Sequence, residues 1–175
     1  SIGYVAQDVL LFSGTIRENL QIAKKDATDE ELWSTLEQVQ AKEFIETLPE
    51  GLDTEIQEGG KNLSKGQKQM LSLARALLSD PKILVLDEFT ASLDMYTEAK
   101  IQDAIQKLLE KRTSIVIAHR LTTILKADNI IVLENGRLIE KGTHSELLSK
   151  EGSYAKIYKK YFSFQLVGLT PISKT

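Results

Sequence analysis

At 175 residues, with 42% hydrophobic and 27% charged content, the chain is long enough for a domain with its own core and too apolar to be disordered. A net charge of -3 gives no basic bias toward nucleic acid, and the lack of cysteine excludes disulfide frameworks and thiolate metal sites. His119 and His144 are too few for a histidine zinc centre, no apolar run approaches the roughly 20 residues that span a bilayer, and no N-terminal signal pattern is present.

The chain starts at Ser1 rather than methionine, and Ile2-Gly3-Tyr4-Val5-Ala6 already reads as a strand in mid-domain, so a fragment is expected. Gln7-Asp8 and Phe12-Ser13-Gly14-Thr15 mark a loop and turn. Thr28-Asp29-Glu30-Glu31 is a capping box, with Thr28 as N-cap and Glu31 reaching back, and Leu32, Leu36 and Val39 follow at helical spacing. A short helix is predicted over 41–47, stopped by Leu48-Pro49-Glu50-Gly51. Ser64 with Gln67 makes a second capping box. Its helix carries Met70, Leu73, Ala74 and Leu77 along one face and stops at Ser79-Asp80-Pro81.

From there the pattern changes. Ile83-Leu84-Val85-Leu86 is continuously apolar, as expected of a strand buried on both faces of a parallel sheet. Ile101, Ala104, Ile105, Leu108 and Leu109 form the stripe of an amphipathic helix, and Ser114-Ile115-Val116-Ile117-Ala118 reads as another buried strand. The Asn135-Gly136 pair predicts a hairpin of 129–134 with 137–141. Thr143-His144-Ser145-Glu146 caps one more helix, residues 154–162 complete the ordered part, and the sequence from Phe164 carries no periodicity.

Two segments carry chemistry. Asp87-Glu88 ends an apolar strand, where acids are commonly just the polar start of a loop. Open α/β sheets, however, bind ligands beyond the carboxyl ends of their strands. An acid there can hold Mg²⁺ through water, and a second can orient or deprotonate a water aimed at a γ-phosphate. Gln7 and His119 end two other strands and would converge on the same crevice. The Ser64-Lys65-Gly66-Gln67 turn offers a hydroxyl and backbone N–H groups at a helix N-terminus, an anion site reinforced by the helix dipole. An ordinary capped helix would explain Ser64 and Gln67 but not Gly66, which costs stability in the first turn.

With these motifs in this order, residues 1–162 resemble the nucleotide-binding domain of ATP-binding cassette (ABC) transporters. Tyr4-Val5-Ala6-Gln7-Asp8 looks like the Q-loop, and Leu11-Phe12-Ser13-Gly14-Thr15-Ile16-Arg17-Glu18-Asn19 is similar to its exporter-type continuation. Leu63-Ser64-Lys65-Gly66-Gln67 looks like the signature motif, 83–88 the Walker B strand, Ala91-Ser92-Leu93-Asp94 the D-loop and Ala118-His119-Arg120-Leu121 the H-loop. Thr54-Glu55-Ile56-Gln57-Glu58-Gly59 resembles the exporter segment that touches the coupling helices of the membrane domain.

The resemblance implies an α/β fold: a P-loop ATPase-like parallel-sheet core without its N-terminal strands, and an inserted α-helical signature subdomain. Residues 1–14 would carry the Q-loop strand, 15–79 the signature subdomain, 80–162 the core and 163–175 a tail. It implies ATP and Mg²⁺ as cofactors. Asp87 and Gln7 would serve the Mg²⁺ site, Glu88 would be the catalytic base and His119 would contact the γ-phosphate. Gln7 would also relay the state of that site to the membrane domain. Ser64, Lys65, Gly66 and Gln67 would act on ATP held by a second such domain in a head-to-tail dimer, with Asp94 at its seam. Partners would then be that second domain and the coupling helices, with no nucleic acid, at the cytoplasmic face of a membrane.

The sequence departs from the family pattern in three places. Lys65 stands where glycine is usual, Phe89-Thr90-Ala91-Ser92 differs from the usual Ala-Thr-Ser-Ala order, and no G-x-x-x-x-G-K-[ST] occurs. Gly60-Lys61 is followed by Asn62 and fails that pattern, so the phosphate-binding loop and the adenine-stacking aromatic are expected upstream of Ser1. The resulting expectation is the C-terminal part of an exporter-type ATPase domain, inactive by itself. A soluble cassette ATPase of DNA repair or chromosome organisation is the alternative, and a non-catalytic remnant that binds partners is a third.

Overall fold

The computed structural model describes residues 1–87, 95–109, 112–118 and 121–161, which fall into two compact units, Ser1–Ile117 and one that begins at Ala118. In the first unit, strands β1 (Ile2–Val5) and β2 (Gly14–Thr15) precede helices α1 (Ile16–Gln21), α2 (Asp29–Gln38) and α3 (Lys42–Glu46). Then come β3 (Glu55–Ile56), α4 (Lys65–Leu78), β4 (Ile83–Asp87), α5 (Met95–Leu109) and β5 (Thr113–Ile117).

Side-chain capping sets three of the helix starts. Thr28 and Ser64 begin α2 and α4 with the reciprocal bonds expected of them, and Thr15 begins α1 in the same way with Glu18. Helix α1 is an addition to the sequence reading, which put a turn at 12–15 and named no helix over 16–21. Its six residues are too few to show a periodic stripe, but the T-x-x-E spacing was there to be read.

Strands β1, β4 and β5 form a parallel sheet in the order β1-β4-β5. One face carries Val5, Leu84, Leu86 and Val116 against a core shared with α4, α5 and the helical segment, in which Ile16, Leu20, Leu32, Leu36 and Ile45 are fully buried. Gly3 sits on this face where α4 closes: a Cβ there would lie 2.8 Å from Pro81 Cγ and 3.0 Å from the Ala76 carbonyl oxygen.

The opposite face corrects the expectation of strands buried on both sides. Tyr4, Val85 and Ile115 share a row across it, and Ile2, Ile83 and Ile117 share the same face. Tyr4 is 58% exposed, Ile115 57% and Ile117 49%. Apolar periodicity records that both sides of β4 and β5 suit burial. Among the described residues only one side is supplied with a covering layer.

The second unit holds α6 (Leu121–Leu125), the hairpin of β6 (Ile130–Glu134) and β7 (Arg137–Gly142), α7 (His144–Ser149) and α8 (Ser153–Tyr161). Asn135 and Gly136 turn the hairpin with φ of 49° and 73°, as the predicted two-residue turn requires. A bulge between Val132 and Leu133 shifts the register. Val132, Leu147 and Tyr154 make its small core. The Glu140 carboxylate accepts from the Ser153 and Tyr154 N–H groups at 2.9 Å, capping α8, while Tyr154 Oη lies 2.6 Å from His144 Nδ1. Among the described residues, no helix is long and apolar enough to cross a membrane.

Candidate functional site

Because the ladder is parallel and in register, the carboxyl ends of β1, β4 and β5 emerge at one edge: Val5 pairs with Leu86, and Asp87 with Ile117. Leu86 is buried and locks β4, so Asp87 ends the strand half-buried at that edge. Gln7 follows the neighbouring strand by two residues and is exposed. The edge thus gathers a carboxylate and an amide where the sheet geometry favours a ligand. Glu88, Asp94 and His119 lie outside the described residues.

Among the described residues, no group of three acids, histidines or cysteines could hold a metal. Mg²⁺ bound with nucleotide takes most of its ligands from phosphate oxygens and water, so one strand-end carboxylate with an adjacent amide fits that cation. The chain is less complete toward the nucleotide, since no segment of its sequence has the pattern that cradles a β-phosphate.

The second cluster is the start of α4. Ser64 Oγ accepts from the Gln67 N–H at 3.2 Å, and Gln67 Oε1 accepts from the Ser64 N–H at 2.9 Å. The Lys68 N–H is taken by the Ser64 carbonyl at 3.0 Å. The cap leaves the Lys65 and Gly66 N–H groups as first-turn donors that intrahelical bonding does not use, and it spends a lone pair of Ser64 Oγ rather than its hydrogen. Ser64 and Lys65 are exposed and Gly66 is buried. Among the described residues, no hydrogen bond or ion pair joins this turn to Gln7 or Asp87.

The turn is braced from below. Lys68 Nζ donates to the Gly59 carbonyl at 2.8 Å, while Asn62 donates to the Glu55 carbonyl at 2.9 Å and accepts from the Gln57 N–H at 3.0 Å. β3 pairs antiparallel with β2, so residues 54–62 are tied to the stretch that leads from Gln7. Glu55, Gln57, Glu58 and Gly59 stay exposed on this braced segment.

Arg17 fastens the same region: Nε donates to Asp53 Oδ1 at 2.8 Å, and Nη1 pairs with Asp29 at the start of α2. The bonds to Asp53 and Asp29 raise the Arg17 pKa further, and its guanidinium holds the Asp53 carboxyl below its usual range.

Two residues that matter to this geometry were given no role by the motifs, although Asn19 ends the exporter-type segment. Asn19 is buried and bonds residue 12, and Arg75 on α4 donates from Nη2 to the Leu10 carbonyl at 2.8 Å. The available signal for Arg75 was a cation on the helical face of Leu71 and Leu78, both buried.

The family described as ABC transporter matches residues 1–91 of the chain. The ABC transporter ATP-binding protein YknV of Bacillus subtilis (strain 168) is 52% identical over 162 residues, 93% of this chain and 27% of that protein. YfiC of the same organism is 49% identical over 162 residues, with the same shares covered. A putative multidrug export ATP-binding/permease protein of Staphylococcus aureus (strain NCTC 8325 / PS 47) is 49% identical over 157 residues, 90% of this chain and 27% of that protein. Among solved structures, a bacterial Atm1-family ABC exporter with ATP bound superimposes with a TM-score of 0.81 at 38% identity, covering 99% of this chain and 29% of that one. The chain therefore spans about a quarter of the length of the curated relatives it matches.

Proposed function

The chain belongs to the ABC transporter family, and on that premise we propose that it serves the ATP-hydrolysing side of a membrane exporter. The carrying observation is the in-register ladder that delivers Gln7 and Asp87 to one sheet edge. Bound Mg·ATP supplies the phosphoanhydride bond and a cation that offsets developing charge. Around it, Asp87 and Gln7 hold the cation's water shell, Glu88 accepts a proton from the attacking water and His119 steadies the γ-phosphate side.

Ser64, Lys65, Gly66 and Gln67 work across a head-to-tail dimer. The capped turn provides the Ser64 hydroxyl hydrogen and two backbone N–H donors, with Gln67 holding the cap, and Asp94 lies at the seam. Among the described residues no bond joins this turn to Gln7 or Asp87, which favours action on a partner's nucleotide. In this reading residues 1–14 and 80–162 belong to the ATPase core and 15–79 to the signature subdomain. The exposed, braced segment 54–59 docks on a membrane domain, and the chain then works at the cytoplasmic face of the membrane. The export functions named for the relatives support an exporter over a nucleic-acid machine.

The test is Glu88→Gln in the complete transporter. The amide keeps the side chain's shape but does not take the water's proton, so turnover stops while ATP binding persists and nucleotide-bound dimer accumulates. Near wild-type turnover would move the role of base to another residue.

A further inference from the structure

Between β1 and β2 the chain forms neither helix nor ladder, and side chains fix its course. Asn19 holds residue 12 from α1, and Arg75 holds residue 10 from α4. Gln7 stands just three residues before Leu10, so a displacement at Gln7 reaches the Leu10 carbonyl through a very short tether. Arg75 lies eleven residues beyond Ser64 on the same helix, about 16 Å along a rigid rod at 1.5 Å per residue.

The Arg75 guanidinium is a poor structural staple. Its Nη2 has one carbonyl, its Nη1 is buried with no partner, and none of the ion pairs among the described residues includes it. Burial also lowers its pKa, since removal from water disfavours the charged form. An unmet buried donor is costly, and an apolar side chain would fill the same space more cheaply. A fork with one prong engaged and one empty does suit a loop that takes two arrangements, because Nη1 can donate to a second backbone carbonyl without breaking the first bond.

We infer that Arg75 is a positioning residue that couples the two nucleotide sites of the dimer, by tying the Gln7 loop of one site to the helix that presents Ser64 to the other. The inference rests on the roles proposed above for Gln7 and Ser64. Coupling of this kind is reciprocal: whatever Gln7 transmits to Ser64 through α4, nucleotide at Ser64 returns to Gln7.

Hydrogen exchange and ATPase kinetics on the complete transporter, wild type beside Arg75→Lys and Arg75→Gln, provide the test. In the wild type, Mg·ATP should slow exchange in residues 7–12 and 64–69 together. In both variants, residues 7–12 should still be protected while 64–69 need more Mg·ATP for the same response, and coupling in ATP should fall by roughly 5-fold or more, with half-saturation raised about 2-fold, the square root of that factor. Lowered thermal stability with joint protection and cooperativity intact would mean a purely structural role and overturn the inference. Wild-type protein that protects 7–12 without 64–69 would overturn it too, whether or not the variants fold. Failure of the wild type to bind Mg·ATP would instead sink the reading of the nucleotide site itself.

Discussion

The side-chain amide of Asn19 grips the peptide of Phe12 on both sides: its Oδ1 accepts from the Phe12 N–H at 2.9 Å, and its Nδ2 donates to the Phe12 carbonyl at 2.9 Å. Nδ2 also reaches the Thr15 carbonyl at 3.0 Å. An amide side chain thus does for this stretch what a neighbouring strand would do, and it does so from within α1, at 2% exposure.

Asn19→Ala should therefore cost about 2 to 3 kcal/mol, since it removes three bonds and strands part-buried backbone groups. Urea unfolding of the chain would show a lower midpoint at unchanged slope. A loss below about 0.5 kcal/mol, the range of neutral surface changes, would mean that water replaces the amide at no cost.

Acid should loosen the helical segment before the sheet. The Arg17 guanidinium lowers the Asp53 pKa, and Lys24 with the Thr28 backbone N–H lowers that of Glu31. A depressed folded-state pKa contributes stability that is present above the ordinary carboxyl value and is lost as pH falls through the folded value. Stability should be level above the ordinary carboxyl range and decline below it. Asp53→Asn should flatten the decline, and salt should weaken it because both carboxylates are exposed. An identical acid profile for Asp53→Asn would discharge the pair from this role.

The open face of the sheet should make the isolated chain self-associate. Tyr4 and Ile115 flank Val85 in a single row, and β1 and β5 have no further strand beside them among the described residues. Replacing Tyr4 and Ile115 together by lysine should shift light scattering toward monomer and leave the unfolding midpoint nearly in place. A wild-type chain that stays monomeric at high concentration would contradict the expectation.

Ser64→Arg should damage the nucleotide site of the partner. In mixed dimers of the complete transporter, one subunit carries Ser64→Arg and the other lacks its phosphate-binding lysine, so both lesions meet in one composite site and the other stays whole. Placing both lesions in one subunit opposite a wild-type partner harms both sites, and activity should be lower. Equal activity in the two arrangements would withdraw support from action across the dimer.

Local chemistry accounts for what the sequence made legible. The boxes at Thr28, Ser64 and Thr143 satisfy orphan N–H groups within four residues, so their spacing alone predicts the helix starts. Asn135-Gly136 likewise carries its own backbone geometry. The exposure of Tyr4, Ile115 and Ile117 on one side of the sheet was not legible, because the run Ile83-Leu84-Val85-Leu86 states an affinity for burial and not what meets it. Arg75 was hidden for a related reason: its partner is a backbone carbonyl, which leaves no trace in residue type. Gln7 and Asp87 were placed by the order of motifs, and the ladder supplies the edge they share.

That ladder has a kinetic consequence. Ile2 pairs with Ile83 across eighty-one residues of chain, and every one of the helices α1 to α4 lies inside that interval. Bringing the ends of so long a segment together costs roughly 4 kcal/mol of chain entropy beyond a constant, if the interval is slack. With α4 already seated against α1 and α2, the distance left to close is far smaller. β1 should then be the last strand to join and the first to leave, its amides exchanging ahead of those of α4, so the loop bearing Gln7 is anchored at the least persistent end of the sheet.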